Sequence, residues 1–481
     1  MAEKKLKILC SAMDSQGHVN AILGMAKILE SRGHQVIMTL APGWESLIKK
    51  HNFEFIPLDL KETTAINKSS TTNGDKVDDC KGDESKESKV NGDEKAKSTD
   101  EAPNAKLIGI INDGLKQLRL SPMDSVRNPD PGAVDRFIDW YSKQFAFDEA
   151  LKQVMNQIKP DMIVLDFMMR LPCLEESTIP WAQLWSCNPI MLYHGHCPPA
   201  TTGFATDSPR ELWDEFKKLQ DANNKPIIDH INSWFISKGS KPYGPDEPIP
   251  IGASPYMNIY TYPGFLDYND IAPRPAKWFR MDASIREPDD STPFVIPEKL
   301  INKQGKLIYF SLGSMGSVDL ELMRRVISVL AKSPHRFIIS KGPYHDQIDL
   351  PDNCWGEKYV NQIAILPHCD LVITHGGNNT LTESLYFGKP IIVMPLFFDQ
   401  LDNAQRIKEK GVGLRIDTYH FEESELLEAI EKLLVDQPLK TKLALIAATL
   451  KASTTTETVC QLIEKTVATG KSPFGDDQFD N

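Results

Sequence analysis

An apolar run, Leu371-Val-Ile-Thr374, passes directly into His375-Gly376-Gly377-Asn378-Asn379-Thr380, and a second run, Pro390-Ile-Ile-Val-Met394, leads to Asp399-Gln400. No other stretch constrains the fold more tightly. A short strand opening on a glycine pair, a helix-like pattern from Thr380, then another strand is the repeat unit of a parallel sheet wound on both faces. In such sheets, polar groups gathered at strand carboxyl ends mark the ligand crevice. A helix following His375 points its free N–H groups at an anion. Gly376 and Gly377 let the backbone come close to it.

The same alternation opens the chain. Lys7-Ile-Leu-Cys10 is a strand, Ala21 to Ser31 is amphipathic with a stop at Gly33, and Val36 to Leu40 is a second strand. A helix near Trp44 to His51 and the strand Phe53 to Pro57 complete a β-α-β-α-β order. Met162 to Leu165 runs into Asp166, and Ala182 to Ser186 is a further strand. Residues 241–275, rich in Pro, Gly and Tyr, read as irregular. A second series holds Lys306 to Phe310, Arg336 to Ser340, Leu371 to Thr374 and Ile391 to Met394. The expected architecture is α/β, with two doubly wound Rossmann-like domains and a cleft between them. We expect an N-terminal domain over 1–287, a linker over 288–305, a C-terminal domain over 306–455, and a helix or tail over 456–481 that packs back on the first domain. Residues 62–104 contain no aromatic residue and are Ser-, Asp-, Glu- and Lys-rich. Such a segment buries too little apolar surface to offset its ordering entropy, so it reads as a disordered surface insert.

A net charge of −12 argues against nucleic acid and anionic membrane surfaces as partners. The eight cysteines include no C-x-x-C pair and read as reduced thiols. The first residues are charged, and no run of about 18 apolar residues occurs. These features point to a cytoplasmic protein, expected to be a monomer. Asn67-Lys-Ser69 and Asn378-Asn-Thr380 match the glycosylation pattern by chance on this reading.

From Tyr359 to Asn403 the chain resembles the nucleotide-sugar signature of the UDP-glycosyltransferase superfamily, which has the GT-B fold and forms glycosyltransferase family 1. The short spacing between Gln362 and His375 resembles bacterial macrolide-type enzymes, and the lack of an anchor resembles soluble bacterial and plant members. The resemblance implies a UDP-sugar site. In Tyr359-Val360-Asn-Gln362, Tyr359 would stack on uracil, with Trp355 as a rival, and Gln362 would bond the ribose or backbone. His375, Gly377, Asn378, Asn379 and Thr380 would hold the diphosphate. Glu383 would bind ribose hydroxyls, although Thr380-Leu-Thr-Glu383 also matches a capping box. Asp399 and Gln400 would bind the sugar, with Gln400 leaning to glucose. Gly313 and Ser314, in Ser311-Leu-Gly-Ser-Met, would form a first phosphate turn.

The resemblance also implies the catalytic pair. Asp14-Ser-Gln-Gly17-His18 follows the first strand. His18 would be the general base, and Asp166 would orient it and stabilise its charged form. The implied reaction is a direct displacement at the anomeric carbon with inversion. The chain has no Asp-x-Asp pair, so no metal is expected, and His194-Gly-His196-Cys197 carries too few ligands to suggest zinc. Met13, Trp140, Phe145, Phe167, Met168, Leu192, Tyr193 and His194 are candidate lining for a small lipophilic acceptor such as a flavonoid, phenol, macrolide or xenobiotic. Two other readings stand beside this one: a nucleotide-sugar epimerase or cell-wall transferase of the same fold, and a non-catalytic UDP-sugar-binding protein.

Overall fold

A computed structural model describes residues 5–60, 109, 114–193, 195–244, 251–285 and 294–474. The insert over 62–104, Cys80 and His194 lie outside the described residues, as does the first part of the 288–305 segment. Two parallel sheets carry the fold. The first has seven strands in the order β3-β2-β1-β4-β5-β6-β7: β1 Lys7–Ala12, β2 Gln35–Leu40, β3 Glu54–Pro57, β4 Met162–Asp166, β5 Trp181–Trp185, β6 Met257–Thr261 and β7 Trp278–Met281. The second has six in the order β10-β9-β8-β11-β12-β13: β8 Leu307–Ser311, β9 Arg336–Ser340, β10 Cys354–Glu357, β11 Leu371–Thr374, β12 Ile391–Val393 and β13 Gly413–Arg415.

The strand order decides where a ligand fits. β1 pairs with β2 on one side and β4 on the other, so the chain leaves the centre of the first sheet in both directions. β8 does the same between β9 and β11. Crevices open at the carboxyl ends of such switch points. They fall between β1 and β4, next to His18 and Asp166, and between β8 and β11, next to Gly313 and His375.

Four strands escape the sequence reading: β6, β7, β10 and β13. β6 and β7 lie in or beside the stretch read as irregular, where Pro and Gly dilute the pattern. β13 is only Gly413–Arg415 and opens on a glycine. The first helix starts at Gln16, so the stretch from Asp14 to His18 opens it as expected, and His18 stands in its first turn.

The Thr455–Thr469 helix packs on the first sheet. Val459, Cys460 and Ile463 are buried in a cluster with Ile8, Val36 and Phe279. Full burial of each aliphatic chain contributes about 1.5–3 kcal/mol. Arg32 clamps this helix through Glu457 and Glu464, the latter at 3.0 Å. The Asp399–Glu409 helix of the second sheet is laid against the first half of the chain. Asp402 accepts from the backbone of Thr201 and Gly203 at 2.7 and 2.9 Å, and the Arg406 guanidinium donates to the carbonyls of Leu266 and Asp267.

Candidate active site

His18 sits just beyond β1 and Asp166 ends the neighbouring β4. The register pairs Ala12 with Asp166, so the two strand ends are level. Nδ1 of His18 lies 2.9 Å from Oδ1 of Asp166, and both side chains are buried. The Ser186 hydroxyl, just past β5, stands 3.2 Å from the same nitrogen. Burial lowers the His18 pKa, but the charge and hydrogen bond of Asp166, with the charge of Asp399, outweigh it, and the net shift is upward. A carboxylate on Nδ1 fixes the tautomer whose lone pair is on Nε2. Ser186 was not anticipated as a site residue. Its position at a strand carboxyl end beside β4 is the signal that could have marked it.

The facing wall comes from β8, β11 and β12. Gly313 takes φ +72°, and a Cβ there would stand 2.7 Å from Cε1 and Nε2 of His375. A Cβ on Gly377 would meet Nε2 at 2.5 Å. The two glycines therefore flank the imidazole. Burial pushes the His375 pKa down to about 4, so at neutral pH its ring is uncharged. A bond from this ring to a phosphate, as the sequence leads one to expect, would be donated by a neutral N–H. Ser314 follows in the short Gly313–Gly316 turn of helix and is half-buried.

The helix after β11 is Asn378–Tyr386, with Gly377 as its N-cap. This corrects one expectation and removes one alternative. The helix begins before Thr380, and Thr380 with Glu383 is no capping box, because Thr380 already lies inside the first turn. The Glu383 carboxylate instead accepts from Gln362 Nε2. Gln362 also meets Thr380 Oγ1 at 3.2 Å and accepts from Tyr309 Oη at 3.1 Å. The residues expected at the ribose thus form one polar cluster. Tyr359 has a ring half exposed at 51%. Trp355 lies in β10 and, with Val360, packs against the cluster around Leu307 and Ile365.

Other expected donors are engaged across the interface. Asn378 Nδ2 donates to the carbonyls of Ser186 and Thr261, both at 2.8 Å, and Asn379 Nδ2 donates to Gly17 O at 2.9 Å. These bonds bring the Gln16 helix and the Asn378 helix together at the crevice. Asp399 Oδ2 accepts from Asn188 N at 2.9 Å, and burial raises its pKa to about 6. Gln400 Oε1 accepts from the backbone of Leu396 and Phe397. Phe398, just before them, holds φ +54°, a strained value for a side chain with a Cβ that aims the start of this helix.

The expected acceptor lining divides. Met13, Phe145 and Phe167 are buried in one cluster, with Trp140 packed against it. Leu192 and Tyr193 belong to another. Tyr193 is a correction: it is buried and its hydroxyl donates to Asp267 at 2.7 Å, so it serves the core. Met168 packs against both clusters. Among the described residues no three His, Cys, Asp or Glu side chains converge as metal ligands, and no helix is long and apolar enough to cross a membrane.

The family model described as "UDP-glucoronosyl and UDP-glucosyl transferase" matches residues 287–451, which carry the whole second sheet. Over those residues the chain is similar to the UDP-glycosyltransferase superfamily, and it spans less than two fifths of the length of the curated relatives it matches. It is 34% identical over 149 residues to human UDP-glucuronosyltransferase 2B10, a match spanning 30% of this chain and 28% of that protein. It is 28% identical over 150 residues to the uncharacterized UDP-glucosyltransferase YojK of Bacillus subtilis (strain 168), spanning 31% of this chain and 37% of that protein. Solved structures resemble this chain over nearly its full length. The glycotransferase of kitacinnamycin superposes with a TM-score of 0.62 at 18% identity, covering 96% of this chain and 99% of that one. The glycosyltransferase VinC, in complex with DTDP, gives 0.58 at 17%, covering 96% and 100%. At such identities the likeness is one of fold, and the two sheets described above are the GT-B architecture.

Proposed function

We propose that this chain is an inverting, UDP-sugar-dependent glycosyltransferase that conjugates glucose to a hydroxyl of a small lipophilic acceptor, in the cytoplasm and as a monomer. The observation that carries the proposal is the His18–Asp166 pair, 2.9 Å apart at adjacent strand ends and held against the Asn378 helix by the Asn379 to Gly17 bond. In this reading Nε2 of His18 takes the acceptor hydroxyl proton while the oxygen attacks the anomeric carbon. Asp166 stabilises the imidazolium that forms. The glycosidic bond to UDP breaks from the opposite face. The N–H groups that open the Asn378 helix, the Gly313-Ser314 turn and neutral His375 receive the departing diphosphate. Tyr359 stacks on uracil, and Gln362 with Glu383 binds the ribose.

The acidic start of the Asp399 helix favours a neutral sugar. Asp399 and Asp402 lie there, and the nearby Arg406 is committed to Leu266, Asp267 and Asp270. A uronic acid would bring a third carboxylate to this turn. The test is mass analysis of purified protein incubated with UDP-glucose, UDP-galactose or UDP-glucuronate and a panel of phenols and macrolides. A hexose added to an acceptor supports the proposal, with glucose preferred. An exchange of UDP-sugars with no acceptor product, or unchanged turnover in His18→Ala, overturns it.

A further inference from the structure

Two asparagines, one from each half of the chain, meet where the halves touch. Asn188 lies just past β5, two residues after Ser186, and Asn403 lies in the Asp399–Glu409 helix of the second sheet. Both side chains are fully buried, as is Tyr262 beside them. Asn188 Nδ2 donates to Asn403 Oδ1 at 2.8 Å and to Tyr262 Oη at 3.1 Å, and Tyr262 Oη donates to Asn403 Oδ1 at 3.1 Å.

The groups at the two ends of this row settle which way both amides point. Ile190 N can only donate, and it meets Asn188 Oδ1 at 2.8 Å. The Asn188 amide nitrogen is therefore the atom that faces Asn403, and Asn403 must present its oxygen. Asn403 Nδ2 then faces Gly376 O, which can only accept, at 2.9 Å, with Asp399 Oδ2 at 3.5 Å. A backbone donor of the first half and a backbone acceptor of the second are thus joined by one directional row of bonds. Turning either amide alone would set like groups against each other in a dry interior, which is costly.

The Gly376 carbonyl belongs to the loop between His375 and the Asn378 helix. Gly376 holds φ +87°, and a Cβ there would stand 2.6 Å from Val393 of β12, so the loop lies close on that strand. In the trans peptide that joins Gly376 to Gly377, the carbonyl and the N–H point opposite ways. Asn403 holds the carbonyl and so sets the direction of the Gly377 N–H, at the start of the helix assigned to the diphosphate. At the other end of the row, Trp185 Nε1 donates to Asn188 O at 3.1 Å, and Ser186 between them reaches His18.

We infer that Asn188 and Asn403 are positioning residues for the proposed transfer: their amides hold the Gly376-Gly377 peptide in register with the wall that carries His18. Both act through other groups, and neither touches a reacting atom. The consequence for turnover rests on the function proposed above, whereas the coupling between the two walls does not.

Turnover and UDP affinity are measured on the full chain, well below its melting temperature. Asn188→Ala cuts the row on the side that does not hold the nucleotide. It should lower kcat about 10–100-fold and leave UDP affinity unchanged. A side chain that served stability alone would lower the melting temperature and leave kcat as in the parent. Asn403→Ala should lower kcat at least as far, and the double variant no further than Asn403→Ala, because both act through one row of bonds. A second readout needs no substrate. Asn188→Asp still accepts from Ile190 N, but its outer oxygen draws Asn403 Nδ2 round and turns Asn403 Oδ1 against Gly376 O. The Cε1–H resonance of His375, assigned by its loss in His375→Gln, should therefore move in ligand-free Asn188→Asp. Parental kcat in Asn188→Ala, losses that multiply in the double variant, or a stationary His375 resonance each overturn the inference. If the parent transfers no sugar, the proposed function fails, and the His375 resonance alone decides whether the two walls are coupled.

Discussion

Gly313 leaves the space that the ring of His375 occupies: a Cβ on Gly313 would stand 2.7 Å from both Cε1 and Nε2 of that ring. The turn after β8 and the strand end of β11 are therefore fitted to each other through a missing side chain. Gly313→Ala should be doubly penalised. It places a Cβ at φ +72°, which costs about 1–2 kcal/mol, and it pushes His375 from the crevice. UDP affinity measured by calorimetry should fall about tenfold or more, with a lower melting temperature. A variant that binds UDP as the parent does would show that this fit has no part in nucleotide binding.

The His18–Asp166 contact sets a pH dependence with a definite sign. As the base of the proposed reaction His18 works only when neutral, and its pKa is raised above the ordinary 6.5. The acid limb of kcat/KM should therefore have its midpoint above 6.5. Asp166→Asn removes the stabilising charge, so kcat should drop by about 10²–10⁴ while UDP affinity holds. The remaining activity should show its acid limb moved to lower pH. A pH profile with the same midpoint in both proteins would remove Asp166 from this role.

Asp402 is buried at the interface between the two halves, and its pKa is raised to about 7. A carboxyl whose folded pKa lies above its unfolded value of 3.8 stabilises the fold fully below 3.8, and that contribution is lost as pH rises through 7. Between pH 6 and 8 the melting temperature should fall. Asp402→Asn cannot ionise, so its melting temperature should change less over the same interval, and parallel curves for the two proteins would count against the assignment.

Arg406 is 2% exposed and donates to two carbonyls of the first half, Leu266 and Asp267. Arg406→Met keeps much of the bulk and strands both carbonyls. Denaturant unfolding should show a loss of about 2–4 kcal/mol. The salt bridge to half-exposed Asp270 adds little to this figure. Asp270→Asn, made separately, should cost less than about 1 kcal/mol. An equal loss in both variants would put the ion pair, and not the carbonyls, at the centre of the contact.

Much of the fold is legible along the chain because parallel strands buried on both faces leave compact apolar runs. Leu371 to Thr374 and Met162 to Leu165 are such runs, and each ends on a polar residue that lies at the crevice. Short strands without that contrast, such as Gly413–Arg415, leave no trace. Gly376-Gly377 and Gly17-His18 are also readable, since a strand end followed by glycine and a helix start is a local pattern. The partners of the polar residues are another matter. Thr380 and Glu383 stand at capping-box spacing, yet the helix starts at Asn378 with Gly377 as its N-cap, and Glu383 bonds to Gln362, twenty-one positions away in the chain. The sequence by itself determined two parallel α/β sheets and which polar residues sit at their carboxyl ends, because strand and helix periods are local. Only the tertiary structure decided that Asn378 reaches Ser186 and Thr261, that Arg406 closes on Leu266, and that two glycines frame a neutral His375. Each of these depends on burial and on a partner distant in the chain, and no local spacing encodes either.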